Sequence, residues 1–351
     1  MKILMPLWSL NLFDYGFVLP LARSLSAVVE QLHISYINGI PRQDLKENFS
    51  FHKINLPFAS IRSKITRFLL SRRRLLDQVE EADIDVLFTL SDLWMQEFCR
   101  YCSERMDIPY VVRLRGNHRR VRKAMNVSFP KEEVLNYLET RSLRDADLVI
   151  PNSRELAEKA EEWGIEGEKI TPPVWNGVDT QMFKPMRVSR PSEFTVAYAG
   201  RISPEKRVPQ ILEVAKNLSD IHFMIAGKKQ MNISFPETVE YLGALRFPEM
   251  PEFYNKADLI ILPSATEGFP NMILEAYACG KPVLVATEAF PAELNLFGSV
   301  ADIDEFEAEI EALRKADLRA LGRQARSYVQ GQYTWETFAQ SIVKYVSAVV
   351  S

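Results

Sequence analysis

Phe194-Thr195-Val196-Ala197-Tyr198-Ala199-Gly200-Arg201-Ile202-Ser203-Pro204-Glu205-Lys206-Arg207 is the stretch that decides the fold. Its first six residues are apolar or β-branched, the composition of a strand covered on both faces, and Gly200 then lets the chain turn sharply. Ser203-Pro204 opens a helix that the pattern carries to residue 218, with proline suited to the first turn. A strand passing at once into a helix is half of a parallel βαβ unit.

The same alternation extends in both directions. Residues 3–7, 34–38, 86–90, 110–114 and 148–151 read as strands, with helical stretches over 16–32, 91–105 and 153–163 between them. Beyond the opening stretch, residues 222–226, 239–242, 259–262, 282–286 and 299–301 continue as strands, and 271–279 as a helix. The fold class expected is α/β, with two doubly wound, Rossmann-like sheets. Pro172, Pro173, Asn176-Gly177, Pro185 and Pro191 interrupt any regular element over 172–193 and locate the join. The expected domains are 1–175 and 176–332, followed by a carboxy-terminal helix in 333–351. In open parallel sheets ligands sit beyond the carboxyl ends of the strands, so two facing sheets predict a cleft between them.

Composition removes several function classes. Hydrophobic residues make up 47% of the 351 and the net charge is only −3, which excludes disorder as the main state and argues against a dedicated nucleic-acid binder. No apolar run approaches the ~18 residues of a membrane span. Met1-Lys2-Ile3-Leu4-Met5-Pro6 reads as a first strand and not as a signal peptide, and Cys99, Cys102 and Cys279 are too few for a disulfide framework, so a reducing cytoplasm is the expected compartment. Charge is balanced overall but locally clustered. Arg62, Lys64, Arg67, Arg72, Arg73 and Arg74 occur without an acid between 60 and 76, as do six cations between Arg113 and Lys123.

Two motifs carry chemistry. Glu267-Gly268-Phe269-Pro270-Asn271 follows a strand and opens a helix whose first N–H groups are suited to an anion. Glu275 lies about one turn further in, so Glu267 and Glu275 can address two parts of one hydroxyl-bearing ligand. In the second motif, Gly200 allows the turn while Arg201 and Lys206 supply a planar fork and a point charge where a diphosphate can lie. A lysine near a helix start opposes the helix dipole, so its placement points to a ligand.

These two motifs, with Trp175-Asn176-Gly177-Val178-Asp179 before them and Ala278-Cys279-Gly280-Lys281-Pro282-Val283 after, resemble those of GT-B retaining glycosyltransferases of the family 4 group (glycosyl transferases group 1). The resemblance is specific over about residues 172–290. It implies that Glu267 contacts the transferred sugar, Glu275 the ribose of a UDP- or GDP-linked donor, and Arg201 and Lys206 the diphosphate. Gly200 and the backbone around Gly268, Phe269, Pro270 and Asn271 would meet sugar and phosphate, with the base near Gly227-Lys228 and residues 242–245. It further implies a glycan, lipid-linked or other cell-envelope acceptor, retention by same-face attack without a protein nucleophile, no metal or other cofactor, and a last helix that crosses back to the first domain.

The amino-terminal half departs from the family pattern twice. The usual paired-glycine loop after the first strand is reduced to Gly16, and the histidine usual after the fifth strand is replaced by Arg115, with His118 three residues on. Either Arg115 or His118 takes the histidine's place. Residues 60–79 form a basic amphipathic pattern that fits either a packed helix or peripheral contact with the anionic inner face of a membrane. Asp83-Ile84-Asp85 and Asp302-Ile303-Asp304 read as structural, the latter with Asp304 and Glu307 as a helix cap, and the Cys99–Cys102 pair lacks a partner pair for zinc. Two rivals remain beside the transferase reading: a non-catalytic glycan-binding protein that keeps the fold, and a GT-B-like sugar-nucleotide epimerase or phosphorylase.

Overall fold

A computed structural model describes residues 1–10, 15–39, 49–54, 64–90, 92–124 and 127–350. The chain divides into two compact units, Met1–Trp175 with Phe338–Ser351, and Asn176–Thr337.

The first unit contains strands β1 (Lys2–Leu10), β2 (Gln31–Gly39), β3 (Phe49–Lys53), β4 (Val86–Thr89), β5 (Tyr110–Leu114) and β6 (Leu148–Pro151) in one parallel sheet of order β3-β2-β1-β4-β5-β6. Its helices are α1 (Tyr15–Ser26), α2 (Lys64–Ala82), α3 (Leu93–Met106), α4 (His118–Ala124), α5 (Lys131–Asp145) and α6 (Arg154–Glu162). β4 and β5 are buried at every position, which is why their apolar runs do not alternate. Local caps define the helices: the Asp92 carboxylate accepts from the N–H groups of Trp94 and Met95, and Ser153 from that of Leu156. Helix α1 stops at Ser26, short of the expected 32, because β2 already pairs with β1 from Gln31. The edge strand β3 was not anticipated.

The apolar side of α2 is in part structural. Leu75 and Val79 are buried in the same core as Leu4, Leu87, Phe98 and Val149, while Arg73 and Arg74 face solvent. Residues 60–63 and the side chains at 64, 65, 67, 68 and 70 lie outside the described set. Cys99 and Cys102 also belong to this core, and burial pushes the Cys102 thiol up to about 12, so neither is a reactive thiolate. At the strands' amino ends the Asp85 carboxylate accepts from the Lys2 N–H at 2.6 Å and Asp83 pairs with the Lys2 ammonium at 3.0 Å.

The second unit repeats the plan. Strands β7 (Thr195–Ala199), β8 (His222–Ala226), β9 (Val239–Tyr241), β10 (Leu259–Leu262), β11 (Val283–Ala286) and β12 (Gly298–Ala301) form a parallel sheet of order β12-β11-β10-β7-β8-β9. Helices α7 (Val208–Asn217), α8 (Met250–Lys256), α9 (Asn271–Ala278), α10 (Phe306–Arg314), α11 (Leu318–Gln332) and α12 (Trp335–Val350) follow, and the unit boundary falls inside α12. The cap after β12 is Asp302 with Glu305, two residues earlier than the expected Asp304 and Glu307. Both sheets change winding direction beside their first strand, between β1 and β4 and between β7 and β10. Those are the switch points where loops diverge.

Candidate functional site

In the second unit the loops after β7 and β10 flank the switch point. Gly200 donates its N–H to the Ala226 carbonyl at 2.9 Å, and a Cβ there would lie 2.5 Å from the Tyr198 hydroxyl oxygen. Close approach, not an unusual turn, therefore demands this glycine. The Tyr198 hydroxyl in turn donates to the Arg201 carbonyl at 2.8 Å.

The helix expected from Ser203 is broken. Pro204–Lys206 makes a single 3₁₀ turn, Arg207 has φ +50°, and α7 begins only at Val208. Lys206 therefore does not oppose the dipole of α7 from its first turn, as the sequence suggested. A non-glycine residue in the left-handed region costs roughly 1–2 kcal/mol, and here a bidentate ion pair of Arg207 with Glu288, at 2.7 and 3.1 Å, fixes it. The break lets the Lys206 ammonium ion-pair with the Glu267 carboxylate from the neighbouring loop, both side chains largely buried. A backbone bond from the Ala265 N–H to the Glu205 carbonyl, 2.8 Å, ties the loops together.

Arg201, on the same loop, is half exposed and lies 3.2 Å from the Glu205 carboxylate. The Ser203 hydroxyl donates to that carboxylate at 2.7 Å and does not cap the helix. Burial alone raises the Glu205 carboxyl, yet Ser203, its own backbone N–H and the Arg201 and Lys206 cations together bring it below the usual range.

Helix α9 starts after Pro270 with no side-chain cap, leaving its first N–H groups without a side-chain acceptor. Phe269 turns inward and stacks on Tyr333, ring centroids 6.1 Å apart, so it anchors the loop. The Asn271 side-chain carbonyl accepts from Asn176 at 2.8 Å. Glu275 accepts from the Tyr254 hydroxyl at 2.7 Å. Burial pushes the Glu275 carboxyl up to about 7, with Tyr254 opposing part of the shift. The loop geometry thus joins Lys206 to Glu267, with Arg201 on the same loop as Lys206, while Glu275 has its own partner on α8. Tyr254, Asn176 and Glu205 were not singled out as site residues by sequence reasoning. Nothing in the local pattern around Tyr254 reveals its contact.

In the first unit Gly16 lies in the first turn of α1, and residues 11–14 before it lie outside the described set. Arg115 follows β5, and its carbonyl accepts from the Asn152 amide at 3.0 Å. His118 begins α4 with Nδ1 3.2 Å from Glu139, which is fully buried on α5. Glu139 also pairs with Arg122, while Arg119 hydrogen-bonds Thr140 and covers the Trp163 ring at 4.4 Å. Arg113, the first member of this basic cluster, is completely buried, donating to the Pro151 carbonyl at 2.8 Å and to that of Val174. Much of the cluster is therefore internal structure and not an open cationic surface.

Burial raises the Glu139 carboxyl, but His118 and Arg122 overcome it and hold the group below its ordinary value. A depressed carboxyl contributes stability above the unfolded-state range and loses it as pH falls through the folded value. Glu139→Gln is therefore expected to cost about 3 kcal/mol near neutrality, the scale of breaking a buried ion pair. Urea titrations of both proteins check this, and the difference should shrink as acid protonates Glu139 in the wild type.

Comparison with known proteins adds family membership. Residues 193–316 match the description "Glycosyl transferases group 1", and residues 21–173 match "Glycosyl transferase 4-like domain". The chain belongs to the group 1 glycosyltransferases. A D-inositol 3-phosphate glycosyltransferase of Segniliparus rotundus is 30% identical over 242 residues, covering 58% of this chain and 53% of that protein. A D-inositol 3-phosphate glycosyltransferase of Mycobacterium marinum is 25% identical over 198 residues, covering 48% and 42%. The chain thus spans about half the length of the curated relatives it matches. Among solved structures, Anabaena HepE in complex with UDP and glucose superimposes with a TM-score of 0.79 at 18% identity, covering 99% of each chain. Sucrose-phosphate synthase from Thermosynechococcus elongatus gives 0.79 at 16%, also covering 99% of each. At these identities the likeness is one of fold, and it establishes the GT-B architecture.

Proposed function

We propose that this protein is a retaining, metal-independent glycosyltransferase that takes a sugar from a UDP- or GDP-linked donor bound in the unit Asn176–Thr337. The observation that carries the reading is the junction of Lys206 with Glu267 at the β7–β10 switch point, with Arg201 on the same loop as Lys206 and the uncapped start of α9 following the loop of Glu267. As the bond from the anomeric carbon to the diphosphate breaks, negative charge grows on the departing oxygen. Fixed cations and helix N–H groups aimed there stabilise it without reorganising. In this reading Arg201 and Lys206 hold the diphosphate, Glu267 meets the sugar and Glu275 accepts from the ribose hydroxyls. The acceptor is a glycan or lipid-linked cell-envelope molecule recognised by the first unit, with Arg115 or His118 serving near the reacting sugar and α2 available for peripheral membrane contact.

Glu275 supplies the test. Only its ionised form accepts from both ribose hydroxyls without donating, so donor binding should strengthen as pH rises through about 7. A thermal-shift series with UDP- and GDP-sugars between pH 6 and 8 should show stabilisation by one base series that increases with pH in the wild type. In Glu275→Gln the stabilisation should be smaller and independent of pH. No stabilisation of folded protein by either series would move the reading to a glycan-binding protein without catalysis.

A further inference from the structure

The carboxyl ends of the strands do not account for all the charge of the second unit. After residue 178 acids outnumber bases, 22 to 18, yet six of those bases line one open cavity. Arg187, Arg190, Lys281, Arg319, Arg323 and Arg326 surround about 480 Å³, and no carboxylate lines it. That volume suits a small ligand. The cavity lies at the opposite end of the strands from Lys206 and Glu267. Asn255, before β10, and Gly280-Lys281, before β11, form part of its wall, so it opens at the strands' amino ends.

The wall is built by backbone contact. A Cβ on Gly322 of α11 would lie 2.0 Å from the Gly280 carbonyl oxygen, so only a glycine lets the helix rest directly on the α9–β11 turn. That contact presents Arg319, Arg323 and Arg326, spaced four and three along α11, on one face beside Lys281. Three of the six cations serve the fold as well. Lys281 donates to the Asn255 and Ala257 carbonyls, Arg326 to the Phe183, Thr180 and Ala278 carbonyls, and Arg190 pairs with Asp258. Arg187, Arg319 and Arg323 are exposed and make no ion pair among the described residues. Like charges four apart on a helix repel, and a concave site concentrates their field, so stability alone does not favour this arrangement.

We propose that this cavity is a second anion site, for a compact, soluble, multivalent oxyanion such as a polyphosphate or a phosphate ester with two or more charged groups. Guanidinium forks from Arg187, Arg319 and Arg323 bind it bidentately, and Lys281 and Arg326 set the field at its floor. Concavity favours a small anion over a flat polyelectrolyte surface.

Tripolyphosphate is the probe, measured by titration calorimetry with the full chain at low and moderate salt. The expected result is a site that persists in Arg201→Ala, weakens at least tenfold in Arg319→Ala/Arg323→Ala, and is unaffected by Arg73→Ala/Arg74→Ala, which removes two charges elsewhere. Both arginines of α11 are exposed and alanine favours helix, so the double variant should melt no lower than wild type without anion. The proposal is overturned by absence of binding. It is equally overturned by binding that Arg201→Ala abolishes and the α11 variant retains, or by equal weakening in the α11 and α2 variants. Because the readout is binding at a site remote from Lys206 and Glu267, it stands or falls separately from the transferase reading.

Discussion

Lys206→Ala is expected to lower sugar transfer by about 10²- to 10³-fold, the usual effect of removing one preorganised group from a developing oxyanion. The ammonium is largely buried and paired with Glu267, so its removal leaves that carboxylate without its cation and the site without this fixed charge. Glu267→Gln should reduce the rate comparably, but the two variants should differ in binding. If Lys206 touches the diphosphate and Glu267 the sugar, nucleoside diphosphate affinity falls in Lys206→Ala and stays near wild type in Glu267→Gln. Steady-state rates together with nucleoside diphosphate titrations read both quantities. Equal losses of diphosphate affinity in the two variants would assign the pair to loop structure and remove the catalytic reading of Lys206.

This site was legible in the sequence to the extent that it depends on residue type after a buried strand. Gly200, Arg201, Lys206 and Glu267 stand in the loops that follow β7 and β10, Glu275 lies about one turn inside the helix after them, and the two strand runs are apolar or β-branched. Partnerships across sequence were not legible. The Ser203-Pro204 signal predicts a helix, and nothing nearby announces that Arg207 will break it to reach Glu288, 81 residues away. The cations of 113–123 stand out in the sequence only as a local cluster without an acid, and only the fold brings Glu139, Thr140 and Trp163 to them. Strand β3 was missed for a related reason. Phe49-Ser50-Phe51-His52-Lys53 is a half-exposed edge, with His33 and His52 side by side at 2.9 Å, and its apolar run is too short to stand out.

Gly227→Ala is expected to be among the most damaging single-methyl changes in the second unit. A Cβ at Gly227 would fall 1.7 Å from the Gly200 carbonyl oxygen, and both groups are backbone, so no side chain can swing away. The residue also has φ +156°, at the border of the glycine-favoured range. Overpacking and strain of this kind sum to roughly 3–5 kcal/mol. Because the Gly200 N–H is bonded to the Ala226 carbonyl, relief requires moving the loop that carries Arg201, so donor binding should fall together with stability. Two other glycines separate this mechanism from a general intolerance of alanine. Gly116 and Gly331 have nothing within 4 Å of an added Cβ and ordinary φ values. Gly116→Ala should stay within about 0.5 kcal/mol of wild type, and Gly331→Ala, inside α11, should gain about 0.5–1 kcal/mol from helix propensity. Urea midpoints of the three variants give the comparison. A Gly227→Ala protein as stable as Gly116→Ala would mean that the loops after β7 and β8 do not cross as closely as the carbonyl at Gly200 requires, and the position of Arg201 at the site would fall with it.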